Sequence, residues 1–372
     1  MAIKGYLTKN INTKILVVVP TEHLKIQWLQ ALTKAGLYFD VKVEIINSAV
    51  KNNEKIDFII LDEVHRYAAD LFHEIFKAKN PSLVLGLSAT FNRLDGKEIL
   101  LSKYCPVCDV ITVKEATENN WLSQYKEYKV LLEVDDIHIY YEYNREFNEA
   151  FAFFDYDFNL AMKCVTDIIY RRRYAKTMGV GAKELDGITF SWLRSLKARK
   201  QFVMEHPKKI EITKKILSSR PNSKAITFSA TIKQAEKIGN GFVVHSGKTK
   251  KKNRLTIEEF SKLDRGVIHT AKSLDEGVDI KGLNLAIILC NTSSKTQKTQ
   301  RVGRVIRYEE GKESEIFTLV IKNTNEESWY STSTAGKSYI EITEAELYEL
   351  LDGKITNNPE ITAEESPLLF RL

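Results

Sequence analysis

Cysteine is scarce in this chain. Cys105, Cys108, Cys164 and Cys290 are the only four in 372 residues, too few and too scattered for a disulfide framework to carry the fold. Cys105 and Cys108 form a C-x-x-C, half of what a zinc site needs, but no second pair follows, and packed, reduced thiols are the expectation. Long apolar runs are also lacking. No segment approaches the roughly 18 consecutive apolar residues of a membrane span, which excludes a role inside a bilayer and leaves no membrane partner to expect. The opening MAIKGYLTKN has no apolar core followed by a small-residue cleavage site, so a cytoplasmic location is expected.

What is present is globular. Hydrophobic residues make up 43% and charged residues 28%, and the length allows two or three domains, each able to bury a core. The net charge of +6 is uneven: Arg171 to Lys209 holds 11 Lys or Arg against Glu184, Asp186 and Glu205. Those cations alternate with Tyr170, Tyr174, Phe190, Trp192 and Phe202. Charge runs are commonly solvated faces, but this mixture also suits phosphates and unpaired bases, which makes Arg171, Arg172 and Arg173 candidate nucleic-acid contacts.

Short apolar runs alternate with amphipathic stretches in the first part of the chain. Strands are predicted at Ile15–Val19, Val41–Ile46, Ile56–Leu61 and Leu83–Leu87, with helices after the first and near 68–78. The plan recurs at Lys224–Phe228, Phe242–Val244, Gly266–Thr270, Leu285–Cys290 and Ile316–Ile321, with helices near 231–238, 254–263 and 295–306. Such alternation argues for α/β lobes with parallel sheets covered on both faces. Between them the alternation disappears and helices are expected, with 179–187 as a turn or loop. The apolar VITV after Cys108 reads as a strand. The expected division is a first lobe over 1–136, a basic and aromatic helical insertion over 137–215, a second lobe over 216–325 and a polar tail over 326–372 with a short helix near 344–351.

Asp62-Glu63-Val64-His65 stands directly after the apolar IDFIIL. Ligands of open parallel sheets bind outside the carboxyl ends of strands, where one carboxylate suits Mg²⁺ on ATP phosphates and a second suits the attacking water. An acidic pair there could also cap the next helix. Ser88-Ala89-Thr90 and Pro20-Thr21-Glu22, however, follow other strands and fall at the same sheet edge.

The order PTEHLKIQW, LDEVH, GLSAT, ITFSAT, HTAKSLDEGVDIKGL and QRVGRVIR resembles superfamily-2 DExH-type helicases, bacteriophage DNA helicases especially, over nearly the whole chain. The resemblance implies two RecA-like lobes, with ATP and Mg²⁺ as cofactors and DNA, or RNA, as partner. It implies Asp62 and Glu63 as the metal and water-activating carboxylates and His65 with Ser88, Ala89 and Thr90 as coupling residues. Thr21, Lys25, Thr270 and Lys248 would lie on the nucleic-acid side, contacting backbone rather than bases. Gly277 and Asp279 match a ribose-contacting segment. Gln300, Arg304 and Arg307 belong to a Q-R-x-G-R-x-x-R on a predicted helix. Arg304 and Arg307, three apart, would share a face and reach the γ-phosphate, although a basic surface helix would look the same.

Such a motor grips phosphates with G-x-x-x-x-G-K-[ST] between a strand and a helix, and the 14 residues before Ile15 hold no such loop. Gly247-Lys248-Thr249 has its earlier glycine, Gly241, one residue too far away, and Gly336-Lys337-Ser338 has Ser331 where glycine is required. The expectation is therefore an ATP-dependent helicase or translocase whose phosphate loop resides in a separate or missing N-terminal segment. The alternative is a non-catalytic nucleic-acid clamp, which would have no physical need of Asp62, Glu63, Arg304 and Arg307.

Overall fold

The computed structural model describes residues 2–9, 13–68, 74–89, 98–271, 280–335, 337–354 and 361–362. Strands β1 (Ile15–Val19), β2 (Val41–Ile45), β3 (Phe58–Asp62) and β4 (Leu83–Leu87) form an all-parallel sheet in the order β2-β1-β3-β4. Alternate residues serve opposite faces, as the two-residue strand period requires. Ile15, Val17, Val19, Phe58 and Ile60 pack with Trp28 and Leu32 of helix α1 (Glu22–Ala35). Leu16, Val18, Ile59 and Leu61 pack with Val64, Tyr67, Ile75 and Phe76 on the other side. Helix α1 begins where the Thr21 hydroxyl accepts the Leu24 N–H and ends at Gly36, whose φ of 71° is a left-handed cap.

The second sheet is larger. It contains β5 (Gln124–Leu132), β6 (Lys224–Ser229), β7 (Phe242–His245), β8 (Gly266–Ala271), β9 (Leu285–Ile288), β10 (Glu313–Ile321), β11 (Tyr339–Thr343) and β12 (Ile361–Thr362) in the order β12-β11-β5-β10-β9-β6-β8-β7. All described pairs are parallel except β11 with β12. Two parallel-sheet lobes of the RecA-like kind therefore stand as expected, but β5 and β11 were not anticipated. By its hydrogen bonds β5, inside the 1–136 span, joins the second sheet, and β11 carries that sheet into the 326–372 tail. The VITV segment is not a strand: Thr112 caps a helix over Val113–Glu118, accepting the Glu115 N–H.

Between β5 and β6 the chain is helical, in α2 (Ile137–Ala152), α3 (Phe158–Thr166), α4 (Ile168–Met178), α5 (Ala182–Glu205) and α6 (Pro207–Ser219). Phe147, Phe154, Ala161, Leu185 and Trp192 form a core of their own. The predicted loop over 179–187 shrinks to Gly179, Val180 and Gly181. Gly179 closes α4 at φ 69°, and the Gly181 N–H donates to Glu184 at 3.3 Å as α5 starts.

Charge hid β5 from sequence reading. Glu127 and Lys129 interrupt its apolar pattern, yet they are 3% and 5% exposed. Lys298, on helix α7 (Lys295–Val305), donates to Glu127 at 2.7 Å and to the Thr318 hydroxyl of β10 at 2.7 Å. Lys129 donates to Glu341 of β11 at 2.7 Å. A second buried pair joins Lys209 of α6 to Glu326 of helix α8 (Asn325–Thr334). These ion pairs join helix to strand, strand to strand and helix to helix.

Removing one member strands a buried charge at a cost of about 3–5 kcal/mol. Lys298→Ala is accordingly expected to destabilise the fold by about that much, and Lys298→Met combined with Glu127→Leu to recover most of it. Equilibrium denaturation reads both, and a single-variant loss below about 1 kcal/mol would show that the pair is solvated.

Candidate functional site

Because the first sheet is parallel, the residues after β1, β3 and β4 meet at one edge. Asp62 ends β3, and both of its oxygens are engaged: Oδ2 accepts the Trp28 indole N–H at 2.9 Å and Oδ1 accepts the Glu63 N–H at 3.0 Å. An N–H per oxygen leaves lone pairs for a hard cation, directly or through water. Trp28, half-buried on α1, orients that carboxylate. Its apolar helical spacing in PTEHLKIQW reads as core, so its donor role was missed.

Glu63 has φ 52°, a sparsely populated conformation for a side chain of this size. The chain turns sharply there into a 3-10 turn over Val64–Ala68. His65 Nδ1 lies 3.3 Å from Glu63 Oε2 and 2.9 Å from the Ser88 hydroxyl after β4. The acid, imidazole and hydroxyl therefore form one contact chain across two strand ends. Tyr67 anchors the turn by donating to the Val18 carbonyl at 2.8 Å. Burial first, and then the Asp62 charge, push its phenol far above the ordinary range.

Gly86 makes this approach possible. A Cβ there would meet the Val64 side chain at 2.8 Å, so the turn can lie on β4 only where no side chain intervenes. Ser88 and Ala89 are exposed at the strand end. Thr90 lies outside the described residues. Thr21, partly buried, caps α1 with its hydroxyl, while Lys25 donates its backbone N–H to the Thr21 carbonyl.

In the second lobe, α7 presents Gln300, Arg301 and Arg304. Arg301 faces inward, donating to the Cys290 carbonyl at 2.8 Å with its guanidinium 5.2 Å from the Phe228 ring centroid. Arg304 is largely buried. Burial first, followed by the Arg254 and Arg304 charges, holds His23 of the first lobe below its ordinary pKa. Arg307 does not share its helix: α7 ends at Val305, and the Leu122–Ser123 segment leading into β5 captures the chain beyond it. The Ser123 N–H donates to the Ile306 carbonyl at 2.8 Å and its hydroxyl to the Arg307 carbonyl at 3.0 Å. Gly277 and Asp279 lie outside the described residues; just beyond them, the Gly282 N–H donates to Glu309 at 2.7 Å.

Several expected nucleic-acid contacts sit elsewhere. Thr270 is 3% exposed and donates its hydroxyl to the Thr227 carbonyl at 2.9 Å, which turns it into the sheet rather than toward a phosphate. Lys248 is partly buried and donates to the Val243 carbonyl at 2.7 Å. Arg171 is 5% exposed, donating to Asp186 at 2.7 Å and to the Cys164 carbonyl. Arg172 shares Asp186 at 2.8 Å, and together Arg172, foremost, and Arg171 hold that carboxyl below its usual range. Arg173 is exposed. Counting charge in sequence could not separate these three.

The phosphate-loop mimics are placed otherwise as well. Thr249 caps the helix Lys250–Ser261 after edge strand β7. Lys337 donates to the Thr299 hydroxyl at 2.9 Å, and burial lowers its pKa to about 8; Gly336 lies outside the described residues. Cys105 is buried, its thiol pushed up to about 11 foremost by that burial, whereas Cys108 is exposed. Among the described residues no group of three or more His, Cys, Asp or Glu could hold a metal ion, and no helix is long and apolar enough to cross a membrane.

The helicase conserved C-terminal domain family matches residues 208–309, and the family of the type III restriction enzyme res subunit matches residues 44–93. A DNA 3'-5' translocase, XPB2, of Sulfurisphaera tokodaii is 27% identical over 335 residues, covering 83% of this chain and 72% of its own. Both matched segments and this relative are of the superfamily-2 helicase kind. The fold of this chain is similar to that of the Pyrococcus furiosus Hef helicase domain, with a TM-score of 0.51 at 16% identity, covering 90% of this chain and 91% of that one. It is similar also to Saccharomyces cerevisiae Dbp5 bound to RNA and ADP BeF3, with a TM-score of 0.57 at 13% identity over 95% and 84% of the two chains. The acidic pair lies within one matched segment and the α7 arginines within the other.

Two outcomes follow from the local geometry. Gly86→Ala is expected to displace Val64 and break the His65–Ser88 contact, reducing nucleic-acid-stimulated ATPase of the intact helicase about tenfold or more, as loss of about 1.4 kcal/mol of coupling would do. An unchanged stimulation ratio would dissociate this contact from coupling. Arg171→Gln is expected to lower the melting temperature, whereas Arg173→Gln should leave melting unchanged and reduce the salt dependence of DNA binding. Equal melting temperatures for the two variants would contradict their different placements.

Proposed function

We propose that the intact protein is an ATP-dependent helicase or translocase acting on DNA, in phage replication, recombination or repair. The observation that carries this reading is the Glu63–His65–Ser88 chain beside Asp62. Bound Mg²⁺ would supply charge neutralisation on the ATP phosphates, held by Asp62 directly or through water. Glu63 orients the attacking water and accepts its proton. His65, Ser88, Ala89 and Thr90 pass the state of that edge to lobe movement. Gln300, Arg304 and Arg307 approach the phosphates from the second lobe, and Gly277 and Asp279 the ribose.

Thr21 and Lys25 face the nucleic acid beyond the first sheet, where backbone contacts suit DNA and RNA alike; the resemblance of the motifs to phage DNA helicases favours DNA. The phosphate grip comes from a further segment containing a strand and a glycine-rich loop, a separate N-terminal fragment in this reading. The state of the first sheet supports this. Edge strand β2 carries Lys42 and Glu44, paired with each other at 2.7 Å. Edge strand β4 is uncharged, and its Leu83 and Leu87 are 43% and 38% exposed. A parallel strand added to β4 would end beside Ser88 and Asp62, which is where a phosphate loop has to be.

Steady-state ATP hydrolysis with single-stranded DNA tests the reading. The chain alone should turn over far more slowly than about 1 per second, a fragment containing the loop should restore activity in trans, and Glu63→Gln should abolish what is restored. Fast turnover by the chain alone would overturn the need for the fragment. Salt-dependent DNA binding with no restoration would favour the non-catalytic clamp.

A further inference from the structure

A groove of about 560 Å³ opens between α2 and α5, beside Asn325 at the start of α8. It lies within neither matched family segment, and neither the acidic edge nor the α7 arginines include any residue of its lining. Aromatic rings define it. Phe147 is buried at its base, and the Phe151 ring lies above, edge-on to Tyr156 with centroids 5.5 Å apart. Phe158 stands edge-on to the fully buried Trp192 at 5.5 Å. Tyr156 and Phe158 are nevertheless 63% and 50% exposed.

The turn that holds these rings out is strained. Asp155 and Tyr156, neither a glycine, follow each other at φ 49° and 57°, a conformation that costs such residues free energy and persists where the surroundings enforce it. Backbone hydrogen bonds close the turn, from the Asp155 N–H to the Ala152 carbonyl and from the Tyr156 N–H to the Phe151 carbonyl, and Asp157 then caps α3 by accepting the Asn159 and Leu160 N–H groups.

The polar groups are few and convergent. The Arg199 guanidinium lies 3.5 Å from the Phe147 ring centroid and donates to Asn144 Oδ1 at 3.0 Å. That bond turns the Asn144 amide so that its NH₂ remains as a donor. Asn148, one helical turn on and exposed, carries both a donor and an acceptor. Flat apolar faces with amide donors and acceptors match the chemistry of a nucleobase, and the volume accommodates one nucleotide unit.

We propose that this groove seats an unpaired base of a single nucleic-acid strand, stacked on Tyr156 and Phe158. The assignment rests on the nucleic-acid reading above and adds a position to it. Stacking of this kind tolerates any base, because each presents a π face, so the seat holds a separated strand without reading its sequence.

The test uses the full chain with an oligo-dT strand, the same strand carrying abasic sites, and a strand containing 2-aminopurine. Tyr156→Ala with Phe158→Ala should weaken single-strand binding about tenfold or more, leave the salt slope and duplex affinity unchanged, and abolish 2-aminopurine quenching. Abasic sites should weaken the wild type similarly and the variant little. Tyr156→Trp should retain binding, and an unchanged circular-dichroism melt shows that the double variant folds. Single-strand affinity within twofold of wild type in the double aromatic variant, with quenching intact, overturns the proposal alone. Absence of salt-dependent DNA binding in the wild type overturns the nucleic-acid reading with it.

Discussion

The parallel pairing of β5 with β10, unbroken from Gln124 opposite Glu313 to Leu132 opposite Ile321, is the constraint on which the rest of the arrangement depends. It takes the chain leaving the first lobe straight into the middle of the second sheet. Everything from α2 to α6 must then be an excursion that starts and ends on that sheet. The same entry places Leu122 and Ser123 against the chain just after α7, so the linker between the lobes is hydrogen-bonded to the carbonyls of Ile306 and Arg307. The linker is thereby tied to the chain just after the helix that carries Arg304.

The first lobe depends on proximity at a sheet edge. Parallel strands deliver Thr21, Asp62 and Ser88 to one side, but delivery alone leaves them a strand spacing apart, about 4.8 Å. The sharp turn at Glu63 and the bare backbone at Gly86 close that gap, bringing His65 to Ser88. The donor at Trp28 then fixes the Asp62 carboxylate from the helix that packs beneath it. An acidic pair after a strand is common; its coupling to the next strand through imidazole and hydroxyl is what gives it a use.

Buried charge explains most differences between pattern and structure. Sequence patterning assigns charged residues to surfaces, because an isolated ion is expensive to bury. Glu127, Lys129, Lys209, Lys298 and Arg171 are all buried, each with a partner distant in sequence or on a neighbouring helix. The hydrogen bonds at Thr270 and Lys248 likewise turn groups that read as surface contacts toward the protein's own carbonyls. Conversely, the rings of Tyr156 and Phe158 are largely exposed beside a strained turn.

Local sequence determined the apolar strands of both sheets, the helical character of the region between them, and the position of Asp62, Glu63, Ser88 and Ala89 at strand ends. These depend on residue periodicity and on the direction of a parallel strand, both properties of short segments. Tertiary structure alone decided that β5 and β11 join the second sheet, that Arg307 leaves the helix of Arg304, that Arg171 is a buried ion-pair member while Arg173 is exposed, and that Trp28 meets Asp62. The physical reason is the same in each case. A hydrogen bond or ion pair between residues far apart in sequence has no periodic signature, and its free energy exists only after the fold has brought both partners out of water together.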